Sequence, residues 1–380
     1  MKLVFSGYLV RYPVGGHSWS PVQYLIGLGR LGHEVTYVEE YAWPNSCYDP
    51  QRGVMTSDPG YGLAFLDRLR RAHAPDVSWC YVAESGTVHG LSREALVRRC
   101  AASDLYLNLG NVNHLPELEE CRRRVLIDTD PVLTQFGAHG LGKPLSWYQA
   151  RFTFGENIGT PRSPVPTNGL TWHPTRQPVI LDLWAGAGPP GRKYTTIGKW
   201  DLTDRDLEYR GDTYRASKRR EWIRIADLPA RTGATFEMAV DVESVTGDLE
   251  LVTGHGWRVA DPAAISHDPW RYRDYLRGSR GEFTVAKDMN IRLRSGWLGD
   301  RSPCYLAAGR PVVVQDTGFG DVLPLGPGLH TFRDVEEAAE AIRIIEADYE
   351  RASAHATAVA RECFAAERVL TDLLRVAGAS

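Results

Sequence analysis

The chain has 380 residues, 43% of them hydrophobic and 24% charged, with a formal net charge of −3. That length exceeds one ordinary core and fits two domains, and the composition excludes a disordered or fibrous chain. The small negative charge argues against a nucleic-acid partner, which usually requires a strongly basic face.

The start, MKLVFSGYLV, reads as a strand over residues 2–10 rather than a signal peptide. A loop with Gly15, Gly16 and His17 follows, and then helical spacing through Val22, Leu25, Ile26, Leu28 and Leu31. Gly32-His33 ends that helix and residues 34–39 form a second strand. Strand, loop, helix and strand within about 38 residues make a βαβ unit and so a parallel sheet. Residues 105–109 and 124–128 are further strand candidates, and the first domain is expected to span 1–160. In its opening loop, two glycines let the backbone approach a ligand, and Gly16 is expected at the donor. GxGxxG is absent, which weakens a hydride-transfer reading.

Residues 155–178 are rich in Gly, Pro, Thr and Asn and read as an interdomain linker over 161–178. Residues 179–183 are expected to start a second set of strands, continued at 258–259, 281–285 and 311–314. After the first of these come Gly186, Gly188, Gly191, Arg192 and Lys193. Glycines and cations at a strand's carboxyl end suit a diphosphate, so Arg192 and Lys193 are donor-binding candidates. The second domain is expected over 179–355, with helical composition through 334–376. Six cysteines show no CxxC pair and no metal-type Cys/His spacing. They read as reduced thiols of a cytoplasmic protein, and no metal site or cofactor is expected. No apolar stretch approaches the ~20 residues of a membrane span, which leaves only peripheral membrane contact open.

The richest segment is RLRSGWLGDRSPCYLAAGRPVVVQDTGFG, residues 292–320. Asp300, Arg301 and Ser302 sit where a helix begins, and Pro303 suits its first turn. Gly309 can end that helix. The run Pro311-Val312-Val313-Val314 reads as a strand buried on both faces, stopping at Gln315-Asp316-Thr317. Polar groups beyond the carboxyl end of a parallel strand are where open sheets bind ligands. The segment therefore offers a phosphate seat and a polar cluster for a second ligand part, which together fit a nucleotide-sugar. Arg292 and Arg294 share one face of an extended segment and could reach phosphate. Trp257 and Trp297 could bound a base pocket, with core packing the commoner role.

The pattern of helix, Ala-Ala-Gly-Arg-Pro-Val-Val and polar loop resembles the donor half of GT-B glycosyltransferases, and GEFTVAKDMNIRLRSGWLGDRSPCYLAAGRPVVVQDTGFG is similar to a bacterial family of glycosyltransferases. The resemblance covers about 179–330 well and the first half loosely. It implies two Rossmann-like domains facing across a cleft, with the last helix, within 356–380, returning to the first domain. It implies that Glu282 or Asp316 holds the ribose or the sugar, with Gln315 and Asp316 at the sugar hydroxyls. Gly-His at the first helix resembles the acceptor-side loop in which histidine deprotonates the acceptor, a role that suits a near-neutral pKa. Asp104, Asp128 and Asp130 lie near strand ends as partners for His17. Asp128 is preferred, although Asp128-Thr129-Asp130 also matches the metal-binding DxD pattern weakly. The expected activity is metal-independent transfer of a sugar from a nucleotide-sugar donor to a small-molecule or glycan hydroxyl. The alternatives are a nucleotide-sugar epimerase of the same architecture and a non-catalytic auxiliary subunit.

Overall fold

A computed structural model describes residues 1–137, 142–202 and 204–378. The first half is built on β1 (Lys2–Ser6), β2 (Glu34–Glu40), β3 (Cys47–Asp49), β4 (Val54–Thr56), β5 (Ser78–Val82), β6 (Val88–Gly90), β7 (Leu105–Leu109), β8 (Arg124–Asp128), β9 (Ala150–Thr153) and β10 (His173–Pro174). Its main sheet has the order β10-β9-β8-β7-β1-β2-β5-β6, and β3 and β4 form a separate hairpin. All neighbours in the main sheet run parallel except β5 and β6. The parallel strands are apolar on both faces because helices cover both faces.

The second half comprises β11 (Lys193–Gly198), β12 (Leu207–Tyr209), β13 (Asp212–Tyr214), β14 (Thr235–Val240), β15 (Arg258–Val259), β16 (Gly281–Thr284), β17 (Val312–Gln315) and β18 (Leu329–Phe332). Its sheet is parallel throughout, in the order β15-β14-β11-β16-β17-β18. Both halves are thus Rossmann-like α/β layers, the fold class the sequence suggested.

One expected strand is not a strand. Residues Leu181–Trp184 form a short helix. Ile180 N–H and the Trp184 indole both donate to Gln23 Oε1, at 3.0 and 2.8 Å. Val179 instead pairs with the chain near its end, donating to Phe364 O at 2.7 Å and accepting from Ala366 N at 2.9 Å. The apolar run is therefore buried against the first helix and the returning chain. The second sheet starts at Lys193.

Residues 155–178 are packed between the halves. Asn157 N donates to Ser295 O at 3.1 Å, its side-chain amide reaches Gly318 O at 3.1 Å, and Ser163 Oγ donates to Leu293 O at 2.7 Å. Ile158, Val165 and Trp172 are buried in a shared apolar cluster with Met289 and Leu293.

Two glycines of the first helix, Gly15–Arg30, explain how closely it is covered. A Cβ at Gly15 would collide with Tyr272, and one at Gly27 would overlap Leu370 and Ala366. The last helix, Ala366–Val376, consequently lies on the first, and the helix Pro269–Arg277 abuts its start. The Trp19 indole donates to Pro269 O at 2.7 Å. One core cluster runs from Phe5 and Trp19 through Tyr305 and Leu306 to Leu370 beneath the cleft. Each such large side chain contributes roughly 1.5–3 kcal/mol by leaving water. No helix among the described residues is long and apolar enough to cross a membrane.

Candidate active site

The halves meet around a cleft of about 580 Å³ lined by Tyr8, His17, Lys199, Asp241, Asp300 and Arg301, among others. Tyr8 follows β1, Lys199 follows β11 and Asp241 follows β14. The carboxyl ends of both sheets therefore face one space, where the strand polarity of open α/β sheets directs ligands. The hairpin β3–β4 contributes Tyr48 and Met55 to the rim.

His17 lies in the first turn of its helix, exposed and lining the cleft. Its ring stands edge-on to Tyr8, with centroids 5.4 Å apart, and is stacked near Tyr12 at 5.6 Å. Desolvation by these walls pushes the imidazole pKa below its usual value, with the charge of Asp300 opposing and that of Lys199 assisting the shift. The shift favours the neutral imidazole. Asp300, across the cleft and open to it, has its own pKa raised by desolvation, opposed by the charges of Arg301 and His17.

This corrects the expected carboxylate. Asp128 is 1% exposed and fully engaged. It accepts from Thr134 Oγ1 at 2.6 Å, Gln135 Nε2 at 2.9 Å, Thr153 Oγ1 at 2.7 Å and Asp130 N at 3.0 Å. It secures the turn after β8, where Val132 is held at φ 78°, a conformation unfavourable for a β-branched residue. The carboxylate sharing the cleft with His17 comes from the opposite half.

On the second half, Arg301 lines the cleft. Its Nε donates to Glu282 Oε1 at 2.6 Å, Nη2 reaches Thr284 Oγ1 at 3.2 Å, and Nη1 bonds Ile197 O. Glu282 is fully buried in β16, so it anchors Arg301 and is closed to a ribose. Lys218, which the sequence reading missed, stands beside them. It is half-buried, with Nζ 5.6 Å from the Trp297 ring centroid. Desolvation first, then the charges of Arg301 and Lys287, push its pKa down to about 7. Lys287 itself pairs with Asp130 at 2.6 Å, joining the halves. Lys218 stands in SKRR, which reads as ordinary surface charge, so no sequence signal singled it out.

Arg192 and Lys193 are misplaced by the sequence reading. Lys193 is the first residue of β11, so both lie at the amino edge of the sheet, away from the cleft. Lys193 pairs with Glu237 at 2.5 Å. Arg292 also turns away: it donates to Thr213 O at 2.7 Å and lies 4.2 Å from the Tyr214 ring centroid. Arg294 adopts φ 44° and faces Asp316 and Asp321, at 3.6 and 3.1 Å. Asp316 accepts from Gly318 N at 2.8 Å and stays partly open beside Arg294, off the wall that His17 shares.

Gln315 is buried between Glu221, at 2.5 Å, and Ala286 N, at 3.2 Å. Thr317 is buried and donates to Trp297 O at 2.6 Å. Ser302, also buried, begins a helix of 6 residues. Gly16 lines the cleft next to His17. Trp257 is core, its indole bound to Ala226 O at 2.7 Å.

Two Rossmann-like halves opposed at their carboxyl edges, with the last helix on the first, define the GT-B fold. The solved structures that the chain resembles are glycosyltransferases of that fold. An alpha-glucosyltransferase in complex with UDP and a 13-mer DNA matches with a TM-score of 0.57 and 12% identity, over 99% of each chain. AviGT4, a glycosyltransferase involved in avilamycin A biosynthesis, matches with a TM-score of 0.57 and 12% identity, over 99% of this chain and 96% of its own. Anabaena Alr3699/HepE in complex with UDP matches with a TM-score of 0.52 and 12% identity, over 100% of both. No family model and no curated protein matches the sequence.

The first of these corrects the argument from net charge. A protein of this fold is held with DNA, so a formal charge of −3 does not exclude a nucleic-acid partner. A whole-chain charge averages over the surface, whereas association depends on the local field.

Proposed function

We propose that the chain is a glycosyltransferase that moves a sugar from a nucleoside-diphosphate donor to an acceptor hydroxyl, with no metal and no cofactor beyond the donor. The observation that carries this reading is one cleft that sets His17 on the first half opposite Lys199, Asp300 and Arg301 on the second, with Lys218 standing beside Arg301 and Trp297. Lys218 has no carboxylate partner among the ion pairs of the described residues, so a donor diphosphate would supply the missing anion. Arg301 and Lys199 add positive charge on the same side. Cations fixed where negative charge grows on the leaving group do what a divalent ion does elsewhere.

In the proposed reaction the acceptor oxygen attacks the anomeric carbon. Its proton passes to His17, the carbon–oxygen bond to phosphate breaks, and the nucleoside diphosphate departs with that bond's electron pair. Asp300 stabilises the imidazolium that forms. A neutral imidazole at working pH is the protonation state that general-base catalysis needs. Asp316, with Arg294, is proposed to hold donor sugar hydroxyls.

The test is to incubate the chain with UDP-, GDP- and dTDP-sugars and measure nucleoside diphosphate release alongside direct nucleotide binding. The reading predicts binding of at least one nucleoside diphosphate, weakened in Lys218→Ala, and slow sugar release that needs His17. Absence of any nucleotide binding would sink it.

A further inference from the structure

We infer that the acceptor is a neutral, flat aromatic compound bearing a hydroxyl, rather than a saccharide. The inference rests on the transferase reading above and extends it to the first-half wall of the cleft.

That wall is made by Tyr8, Tyr12, Val14, His17, Tyr48 and Met55. Among the described residues it holds aromatic and aliphatic side chains and no carboxylate, carboxamide or fixed cation. The cations of the cleft, Lys199 and Arg301, lie on the opposite half. A polyhydroxylated acceptor presents several hydroxyls that lose water on entry, and each needs a polar partner in exchange. Pockets that discriminate among sugars therefore place several fixed polar groups around them. Here the wall offers ring faces instead, and ring faces favour offset or edge-to-face contact with another ring.

The base fixes where the acceptor must lie. His17 sits between two tyrosines, 5.4 Å from Tyr8 and 5.6 Å from Tyr12, centroid to centroid. A hydroxyl that delivers its proton to His17 brings the rest of its molecule against those rings. Burial raises the pKa of both phenols, with Asp300 adding to the effect on Tyr8, so they stay neutral and add no charge near His17.

The rim extends the same chemistry outward. Tyr48 lies edge-on to His267, with centroids 6.3 Å apart, at the mouth. Among the described residues seven large hydrophobic side chains are exposed, and four of them, Tyr41, Trp43, Val54 and Met55, fall between residues 41 and 55. Of these four, Met55 lines the cleft, where an exposed apolar side chain would cover the outer part of a ring system longer than a single sugar.

The test measures acceptor binding apart from transfer. The planar phenol 4-methylumbelliferone is titrated by its fluorescence, and methyl glucoside and cellobiose by calorimetry. All three are then offered with whichever nucleotide-sugar the protein binds. The expected result is saturable phenol binding, and transfer to the phenol at least ~10-fold more efficient than to either saccharide. Met55→Asp and Tyr48→Ala should each raise the phenol dissociation constant, by about 3–10-fold, while nucleotide affinity stays within twofold.

Met55 is exposed, so its substitution leaves the fold intact. Stronger binding or faster transfer with a saccharide overturns the inference, as does a phenol affinity that neither substitution changes. Phenol binding without any nucleotide binding would instead sink the transferase reading and leave the aromatic site standing.

Discussion

Cations gather at both edges of the second sheet, and most are paired, at the carboxyl edge Arg301 with Glu282, Lys287 with Asp130 and Lys199 with Asp241. At the amino edge Lys193 is paired with Glu237 at 2.5 Å, and Arg280 with Glu346 at 2.7 Å, its guanidinium 3.6 Å from the Tyr349 ring. At the carboxyl edge Lys218 has no such partner, and its pKa is pushed down to about 7 by desolvation and by Arg301 and Lys287. A saturated cation holds structure together. An unsaturated one, kept partly uncharged by its neighbours, is stabilised when an anion arrives. Strand direction decides which edge a ligand meets, and satisfaction of charge decides which groups there await it.

The largest effect should follow from removing the base at the ligand edge. His17→Ala should lower turnover by roughly 10²–10⁴-fold while leaving nucleotide affinity nearly unchanged. Because its pKa is lowered, wild-type kcat/KM should hold as pH falls to ~6.5 and decline only below that, as the imidazole protonates. Near-normal turnover in the variant would remove His17 from the chemistry and point to a mechanism without a side-chain base.

Lys218→Ala should weaken nucleoside diphosphate binding by roughly 10–100-fold, the loss expected for a charge-assisted contact. The pH dependence is a sharper signature. Only the ammonium form attracts the diphosphate, and Lys218 loses its proton near pH 7 in the free protein. Binding raises that pKa, so complexation takes up a proton above pH 7. Affinity should thus fall by up to about tenfold per unit above pH 7. Below pH ~6 it should fall again, as the terminal phosphate protonates. Calorimetric titration across pH 5.5–8.5 would show this maximum, and a flat profile would remove Lys218 from the site.

Asp128 shows that the right edge alone is not sufficient. It ends β8 at the carboxyl edge, yet four donors saturate it. Asp128→Ala would leave Gln135 and Thr153 without this acceptor and Thr134 with only Asp130 O, which costs roughly 2–4 kcal/mol of stability. The prediction is a marked fall in Tm, with nucleotide affinity per folded molecule retained.

The same distinction explains what was legible in the sequence. The first βαβ unit and the helix–Gly–strand unit ending in Val312–Gln315 were readable because apolar periodicity and caps agreed. The run at 179–183 was not, because an apolar stretch buried under helices looks like one buried in a sheet. Gln23, 157 residues away, decides between them. Thr235–Val240 alternates too weakly to announce a central strand. The error at 179–183 then displaced the diphosphate loop to Arg192 and Lys193, one strand length from the cleft. The surroundings of Lys218 and the sharing of one cleft by His17 and Asp300 depend on contacts between residues far apart in the chain, which local spacing does not encode.

The smallest effect is expected where the sequence pointed most directly. Lys193→Met removes a cation from a glycine-rich approach that looks made for phosphate. Its ammonium is spoken for by Glu237, which the Tyr275 hydroxyl also reaches at 3.2 Å, so the carboxylate keeps one donor after the change. The pair is partly exposed, with 39% of the Lys193 side-chain surface open to solvent, and such pairs contribute only about 0–1 kcal/mol. The variant should therefore lose no more than that in stability, and its nucleotide affinity should match wild type within twofold at every pH. Arg192→Ala, exposed and without an ion pair among the described residues, should behave alike because its edge of the sheet faces away from the cleft. A tenfold loss of affinity in either would mean that the amino edge meets the donor after all, and the division between saturated and unsaturated cations would no longer locate the site.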